Sequence, residues 1–238
     1  MKAWFRFFRI VNLPTVPGDL LVGSSALLAG GLVKWNGWGS LVAACCAAMA
    51  LYLFGMADND IVGAKTDVGR PIPEGAISIR AARLARGMCL FAALVAGAAA
   101  NLPPAWWIAA FALVVSAVAY NRLKSCFLIG LCRGLDVWCG GVAILACNFR
   151  GIPDRARLAL FVVAAIWTLY IALVTKYSEG EAADPEKRRR VGLLIGGIVY
   201  LQLLALVFFC VKPLIIAGAV LLVVLRFTKR LLPGVSAS

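Results

Sequence analysis

The long apolar runs of this chain constrain its fold more than any other feature of the sequence. Hydrophobic residues make up 63% of the 238 positions, and several runs approach or exceed the roughly 18 to 20 residues that a helix needs to cross a bilayer. A helix satisfies its own backbone hydrogen bonds in lipid, so the sequence predicts an all-α, polytopic membrane helix bundle. We place eight spans, at residues 15–33, 38–57, 84–102, 104–120, 127–148, 158–175, 191–211 and 213–227.

The first residues, MKAWFRFFRIVNLP, alternate bulky apolar and basic side chains. This pattern is typical of a helix that lies in the membrane interface, with aromatic rings at the headgroups and cations toward water. We therefore expect an interfacial N-terminal helix at residues 1–14, a single transmembrane domain at 15–228 and a short cytoplasmic tail at 229–238.

The distribution of basic residues predicts how the chain is oriented. Of the 24 Lys and Arg residues, 18 lie in segments on one side of the predicted membrane, five lie on the other, and Arg133 lies within a span. Positive charge accumulates in cytoplasmic segments, so both termini are predicted to be cytoplasmic. Because topology explains most of the net charge of +13, we expect no nucleic-acid partner. The expected location is a bacterial inner membrane, with membrane lipids as partners.

Eight of the eleven carboxylates lie in two segments that follow apolar spans. DNDIVGAKTDVGRPIPEG (58–75) follows the second span, and YSEGEAADPEKRRR (177–190) follows the sixth. An even number of spans separates them, so both emerge at the same membrane face. Mg²⁺ is a hard cation that commonly joins a few carboxylates to the phosphates of a substrate. Cations that can screen phosphate charge lie nearby: Arg70, Lys124, Lys176 and residues 187–190.

Helical phase gives a second reason to consider a metal site. If the helix of the second span continues through residue 67, then Asn59, Gly63 and Asp67 share a stripe, and Asp60 shares a face with Asp67. A separation of about 10 Å between Asp60 and Asp67 suits a pair of metal ions or one extended diphosphate. A solvated loop whose acids balance its bases explains the same composition equally well.

Several motifs resemble one family. NDIVGAKTD followed by RPIPEG is similar to the first signature of the UbiA-type intramembrane prenyltransferases, which is Asn-Asp-x-x-Asp-x-x-x-Asp with an Arg-Pro-x-Pro-x-Gly loop. YNRLK (120–124), GLCRGLD (130–136) and the acidic loop at TKYSEGE also resemble this superfamily. The resemblance implies a helical bundle around a central, lipid-accessible cavity. It also implies Mg²⁺-dependent transfer of a prenyl group from a prenyl diphosphate to a lipophilic, commonly aromatic acceptor.

The resemblance also assigns roles to particular residues. It places Asn59, Asp60 and Asp67 in the first motif, with Glu181 and Asp184 as the best matches to the second. The implied Mg²⁺ ligands are Asp60, Asp67, Glu181 and Asp184. The expected catalytic residues are Asp67, Asp60, Lys124 and Arg70. The expected substrate-binding residues are Asn59, Arg133, Asp136, Asp19, Tyr120 and Lys176.

The chain departs from the family pattern at three places. Gly63 stands where the middle aspartate is expected, and the link from Asp67 to the RPIP segment is shorter than usual. The second loop reads Glu-x-Glu-x-x-Asp instead of Asp-x-x-x-Asp, and one span fewer is found than the nine of the family. Either Asp60 compensates for Gly63, or the chain has lost the usual chemistry.

Arg133, Asp136 and Asp19 are ionisable residues inside predicted spans. Arg133 and Asp136 are three residues apart in the fifth span and can pair on one helix face. A charge near the membrane centre costs about 3 kcal/mol on insertion scales, so such residues usually face the bundle interior. They form either a structural ion pair or part of an acceptor site. Asp19, close after Pro17 and Gly18, is either a helix cap or a pocket residue.

Two hypotheses of different classes follow. The first is a Mg²⁺-dependent prenyltransferase. The second is a non-catalytic carrier that holds an isoprenoid or aromatic precursor, which Gly63 favours. An ion-coupled transporter fits less well, because most carboxylates lie at one membrane surface and not along a path through the membrane.

Overall fold

The computed structural model describes residues 2–29, 37–145, 152–180 and 184–231, and the regular structure within these ranges is helical. Its α-helices are α1 (Lys2–Phe7), α2 (Thr15–Leu28), α3 (Trp38–Val62), α4 (Ile79–Ala99), α5 (Pro104–Leu123), α6 (Cys126–Ala143), α7 (Asp154–Ser178), α8 (Pro185–Phe208) and α9 (Lys212–Leu231).

Helices α2 to α9 lie where the eight spans are predicted, which confirms the all-α bundle. Among the described residues, α3 to α8 are six helices long and apolar enough to cross a membrane. The chain is therefore a multi-pass integral membrane protein. Helix α2 has only 14 described residues, and α9 ends in a basic turn. Eight crossings, the bacterial inner membrane and the cytoplasmic position of the termini stay predictions.

The N-terminal segment packs onto the bundle. Helix α1 is shorter than the predicted 1–14 helix, and a 3-10 turn at Ile10–Asn12 follows it. The Phe7 side chain is completely buried and packs in a small cluster with Ala57, Ile77 and Ala82. Helix α1 thus contacts the end of α3 and the start of α4, and this contact brings the N-terminal arginines to the end of α3.

Helix α6 is the central element of the bundle, because it packs against α2, α5 and α7. Small residues allow these approaches. An added Cβ at Gly23 of α2 would lie 1.8 Å from the Val137 carbonyl oxygen, and one at Gly140 of α6 would lie 2.1 Å from the Leu20 carbonyl oxygen. Ser24 also donates a hydrogen bond to the Gly140 carbonyl oxygen across the same contact, at 2.9 Å. Such small-residue contacts drive helix association in membranes, where the hydrophobic effect contributes little.

Gly140→Ala is expected to lower the melting temperature of the detergent-purified protein, because the added methyl group forces α2 and α6 apart. Overpacking of a tight interior typically costs about 1–3 kcal/mol. The matched control is Gly87→Ala in α4, where an added Cβ meets nothing within 4 Å. This control is expected to leave the melting temperature unchanged or to raise it, because Ala favours the helix. Equal shifts for the two variants would contradict the close crossing.

Candidate active site

A polar cluster forms where α3 ends. Asn59 and Asp60 lie in the last turns of α3 and are buried, with 4% and 2% relative exposure. Helix α3 ends at Val62 and a 3-10 turn follows at Gly63–Lys65, so the continuous helical phase expected through residue 67 is wrong. The chain makes one further turn there, in which the Asp67 backbone N–H donates to the Gly63 carbonyl oxygen at 2.9 Å.

The Asp67 carboxylate lies over Gly63. An added Cβ at position 63 would be 2.3 Å from Asp67 Oδ2. The carboxylate therefore occupies the space that a side chain at position 63 would need. The observed position of the Asp67 carboxylate is thus compatible with glycine at position 63 and would clash with the aspartate of the family motif.

Arg70 lies between the two carboxylates of this cluster. Its Nη1 donates to Asp60 Oδ1, and its Nη2 is 3.4 Å from Asp67 Oδ2. Arg9, from the turn after α1, approaches the same Asp60 oxygen at 3.9 Å. Because one guanidinium contacts both carboxylates, Asp60 and Asp67 are closer together than the about 10 Å expected along a continuous helix.

Lys124 brings a third cation to the cluster. It ends α5 with a left-handed backbone (φ 52°), and its Nζ donates to Asn59 Oδ1 at 2.6 Å. The ammonium also lies 5.6 Å from the centroid of the Tyr120 ring. Although the residue as a whole is exposed, partial burial of the ammonium lowers the pKa of Lys124. Arg70 adds to this effect, whereas Asp67 opposes it.

Asp58 forms a separate, buried cluster that the sequence analysis did not assign. Its Oδ1 lies 2.7 Å from Arg86 Nη1 of α4, and its Oδ2 accepts from Asn121 Nδ2 of α5 at 2.9 Å. Two residues of α-helix rotate a side chain by about 200°, so Asp58 and Asp60 point to different sides of α3. The two-residue spacing of Asp58 and Asp60 on one helix was therefore the sequence signal that the two carboxylates belong to different clusters. The Asp58 cluster ties the ends of α3, α4 and α5 together.

The charged residues inside the spans form a second network. Arg133 Nη2 lies 2.8 Å from Asp19 Oδ2, and Arg133 Nη1 lies 3.9 Å from Asp136 Oδ2. Asp19 Oδ1 accepts from Trp167 Nε1 at 2.8 Å and from Gln202 Nε2 at 2.6 Å. Asp19 is completely buried inside α2, whose N-cap is Pro14, so the helix-cap interpretation is wrong. The sequence analysis missed Trp167 and Gln202, because they are far from Asp19 along the chain.

Two cavities adjoin this network. A small cavity of about 70 Å³ lies between α3, α5 and α6. An apolar groove of about 870 Å³ lies between α7 and α8, and Trp167 lines it. Because Arg133 and Asp136 line the small cavity, the Asp19 network lies between the two spaces. The small cavity is lined by Tyr52, Met56, Tyr120, Arg133 and Asp136, among others.

The second acidic loop is described only in part. Asp184 is the N-cap of α8, and its Oδ1 accepts from the backbone N–H of Glu186 at 2.9 Å. Lys176 pairs with the exposed Glu179 at 2.8 Å. Glu181 lies outside the described residues. The Mg²⁺-binding roles of Asp184 and Glu181 and the substrate-binding role of Lys176 therefore stay predictions.

The oxygen atoms at the end of α3 are of the kind that Mg²⁺ binds. Asp60, Asp67 and Asn59 offer the carboxylate and amide oxygens that Mg²⁺ prefers, and phosphate oxygens of a substrate commonly complete such a shell. Each of these side chains also contacts a side-chain cation. Within the part of the chain that is described, no group of three or more His, Cys, Asp or Glu residues is arranged to hold a metal ion.

The bundle has the fold of the UbiA homologues. A UbiA homologue from Archaeoglobus fulgidus bound to GPP and Mg²⁺ is 15% identical with a TM-score of 0.57, over 97% of this chain and 87% of that chain. A UbiA homologue from the same organism bound to DMAPP and Mg²⁺ is 14% identical with a TM-score of 0.57, over 96% and 86% of the two chains.

A third solved structure, from work on digeranylgeranylglyceryl phosphate synthase in membranes, has a TM-score of 0.58 and 16% identity, over 98% of this chain and 93% of that chain. No protein-family model matches the sequence, and no curated protein matches it. At these identities the likeness establishes the fold, and it confirms the fold that the motifs imply.

Arg133→Met is expected to destabilise the protein strongly, because it leaves the buried Asp19 and Asp136 carboxyl groups without a cation. Breaking a buried ion pair by removing one partner typically costs about 3–5 kcal/mol. The control, Arg155→Met, removes an exposed arginine near the start of α7, and we expect little change. Melting temperatures in detergent give the comparison, and an unaltered value for Arg133→Met would show that the network does not hold the bundle.

Proposed function

We propose that this protein transfers a prenyl group from a prenyl diphosphate to a lipophilic, aromatic acceptor within the membrane, with Mg²⁺. One observation carries the proposal. Two carboxylates and three cations meet at the end of α3 in an apolar bundle, beside a cavity that extends into it. The fold supports the same conclusion, and so do the GPP, DMAPP and Mg²⁺ bound to the homologues from Archaeoglobus fulgidus. Membership of the UbiA superfamily is part of the proposal.

The cations of the cluster suit a diphosphate. The Arg70 and Arg9 guanidinium groups can each present two N–H donors to phosphate oxygens, and Lys124 adds a compact charge. Asp60 and Asp67 hold these arginines in place in the structure. The cluster therefore positions donors before a substrate arrives, which reduces the entropy lost on binding.

Asp60 and Asp67 are the residues proposed to hold Mg²⁺, with Glu181 and Asp184 as proposed contributors from the second loop. When bound, Mg²⁺ stabilises the negative charge that develops on a leaving phosphate group. The oxygen of Asn59 is engaged by Lys124, and its proposed role is to orient that lysine toward the donor.

The allylic end of the prenyl chain would extend from the cluster into the small cavity, whose walls would move apart to admit the rest of the chain. The C–O bond of the donor breaks, and both electrons go to the diphosphate. The allylic carbon then bonds to the acceptor, which loses a proton to the departing diphosphate. Tyr52 and Tyr120 line the cavity, and aromatic faces stabilise a nearby cation. Exclusion of water from this space protects the allylic cation from hydrolysis.

Arg133 and Asp136 are proposed to orient the acceptor. They line the small cavity away from the end of α3, and Arg133 is held by its contact with Asp19. A polar group of the acceptor can bond to these side chains while its apolar part remains in the bundle. The direct role of Asp19 is then to hold Arg133.

Asp67→Asn tests the reaction. The substitution removes one charge from the cluster, and we expect diphosphate release to fall by at least about 100-fold, since a bound metal supplies several kcal/mol of charge stabilisation. The assay uses purified protein, Mg²⁺, a panel of prenyl diphosphates and mixed lipophilic acceptors. Asp154→Asn, an exposed carboxylate at the start of α7, is the control and should retain activity. Tight donor binding without turnover by the unaltered chain would support the carrier instead.

The affinity for a donor analogue is expected to fall as the pH is raised, because the charged form of Lys124 contacts the diphosphate. The pKa of Lys124 is lowered, so the loss begins at a lower pH than the titration of an ordinary lysine. Lys124→Arg should remove this dependence, because arginine stays protonated. Calorimetry with geranyl thiolodiphosphate across alkaline pH measures the effect, and identical profiles for both proteins would exclude this role.

A further inference from the structure

We infer that the groove between α7 and α8 binds one anionic phospholipid, with the headgroup phosphate at Arg155 and an acyl chain along the groove. The inference goes beyond the proposed function and does not depend on it. It concerns a different pair of helices and the end of the bundle that lies away from the cluster at the end of α3.

The groove is built from one apolar face of each helix. On α7 its lining residues recur three or four positions apart from Arg155 to Tyr170, and on α8 they lie between Ile198 and Phe209. Such spacing forms a continuous face on a helix. The two faces meet at one end, where the Tyr170 hydroxyl donates to the Leu194 carbonyl oxygen at 3.0 Å. Along the rest they leave a space of about 870 Å³.

The size of this space requires an apolar occupant. Leu158, Ile166 and Leu204 line the groove and are exposed, so their side chains lack protein neighbours on one side. An unfilled space forfeits the dispersion contacts of its lining atoms. In a bilayer, a hydrocarbon chain supplies these contacts.

The length of the groove suits an acyl chain. Residues 155 to 170 of α7 extend over about 22 Å at the rise of an α-helix. One leaflet is about 15 Å deep, which is half of the roughly 30 Å hydrocarbon core. A chain whose headgroup lies at Arg155 can therefore lie in the groove over the full depth of its leaflet.

Arg155 determines the charge of the occupant. Among the described residues that line the groove it is the only charged one, and it is exposed. No carboxylate in the described part of the chain pairs with it, and the adjacent Asp154 pairs with Arg157 instead. A guanidinium presents paired N–H donors to phosphate oxygens. A net negative headgroup is favoured over a zwitterionic one, because the zwitterion brings a cation of its own.

The direction of the helices separates this headgroup site from the candidate active site. Helix α6 begins at Cys126, next to Lys124 of the cluster. Helix α7 runs antiparallel to it, because Gly130 lies against Thr168 whereas Gly141 lies against Leu160. The first turn of α7 is therefore at the other end of the bundle. A diphosphate held at the end of α3 cannot reach Arg155, so the occupant is a lipid of the opposite leaflet and not the prenyl donor.

Trp167 links the groove to the buried charges. Its ring lines the groove, and its Nε1 donates to Asp19 Oδ1 at 2.8 Å. An acyl chain in the groove packs against this ring and holds it toward Asp19. The bound lipid is thus expected to stabilise both the contact of α7 with α8 and the Asp19 network.

The test compares two lipids that differ only in the headgroup. The full chain in detergent is titrated with dioleoyl phosphatidylglycerol or with dioleoyl phosphatidylcholine, and native mass spectrometry measures the lipids bound per chain. We expect one phosphatidylglycerol to bind about fivefold more tightly than phosphatidylcholine, which is the gain from one cation near a membrane surface. Phosphatidylglycerol should also raise the melting temperature more than phosphatidylcholine does.

Two variants test the two parts of the site. Arg155→Met should bind both lipids with equal affinity, whereas Arg80→Met, which removes an exposed arginine at the start of α4, should keep the preference. Ala159→Phe fills the groove and should weaken the binding of both lipids. Its control, Ala92→Phe, adds the same ring at an exposed position of α4 and should bind like the unaltered protein.

Three results would overturn the inference. Equal binding of the two lipids by the unaltered chain would leave only the ordinary lipid shell of a membrane protein. A preference for phosphatidylglycerol that persists in Arg155→Met, or full binding by Ala159→Phe, would place the lipid elsewhere. Geranylgeraniol carries a prenyl chain without a charge, and displacement of phosphatidylglycerol by an equal amount of it would make the groove a prenyl-chain site instead.

Discussion

Pairing of buried carboxylates with arginines is the constraint on which the rest of this bundle depends. A carboxylate within apolar surroundings is costly unless a cation lies beside it. Every buried aspartate among the described residues has an arginine beside it, on another helix, turn or loop for Asp19, Asp58 and Asp60 and on the same helix for Asp136. The pairs are Asp19 with Arg133, Asp58 with Arg86, Asp60 with Arg70 and Asp136 with Arg133.

The contacts on one side of α3 position the contacts on its other side. The Asp58 cluster joins the ends of α3, α4 and α5, and Asn121 contributes to it from the last turn of α5. Lys124 follows Asn121 by less than one helical turn, so the same contact brings its ammonium to Asn59. The buried contact of Asp58 with Asn121 on one side of α3 thus positions Lys124 beside Asn59 on the other side. Removal of Asp58 should therefore disturb the site as well as the stability of the fold.

The sequence predicts the helices well and their contacts poorly, for a physical reason. Apolar runs identify α2 to α9 because membrane helices depend on local composition. The ion pair of Asp19 with Arg133 joins residues that are 114 positions apart in the chain, and no local pattern indicates it. The break after Val62 was also missed, because the phase argument assumed a continuous helix through Asp67. Among the motif residues, Asp60 contacts Arg70 and Asn59 contacts Lys124, whereas their roles in a reaction stay predictions.

The small cavity lies next to both charged centres, and the proposed reaction takes its direction from this placement. At one end, Arg9 donates to Met56 Sδ at 3.4 Å, and its carbonyl oxygen accepts from the Tyr52 hydroxyl at 3.4 Å. At the other end, Arg133 and Asp136 line the wall. A donor held by its diphosphate at the end of α3 would direct its allylic carbon toward the acceptor group held by Arg133. Because the cavity of about 70 Å³ has room for only a few carbon atoms, the proposed transfer requires the helices around it to move apart when donor and acceptor bind.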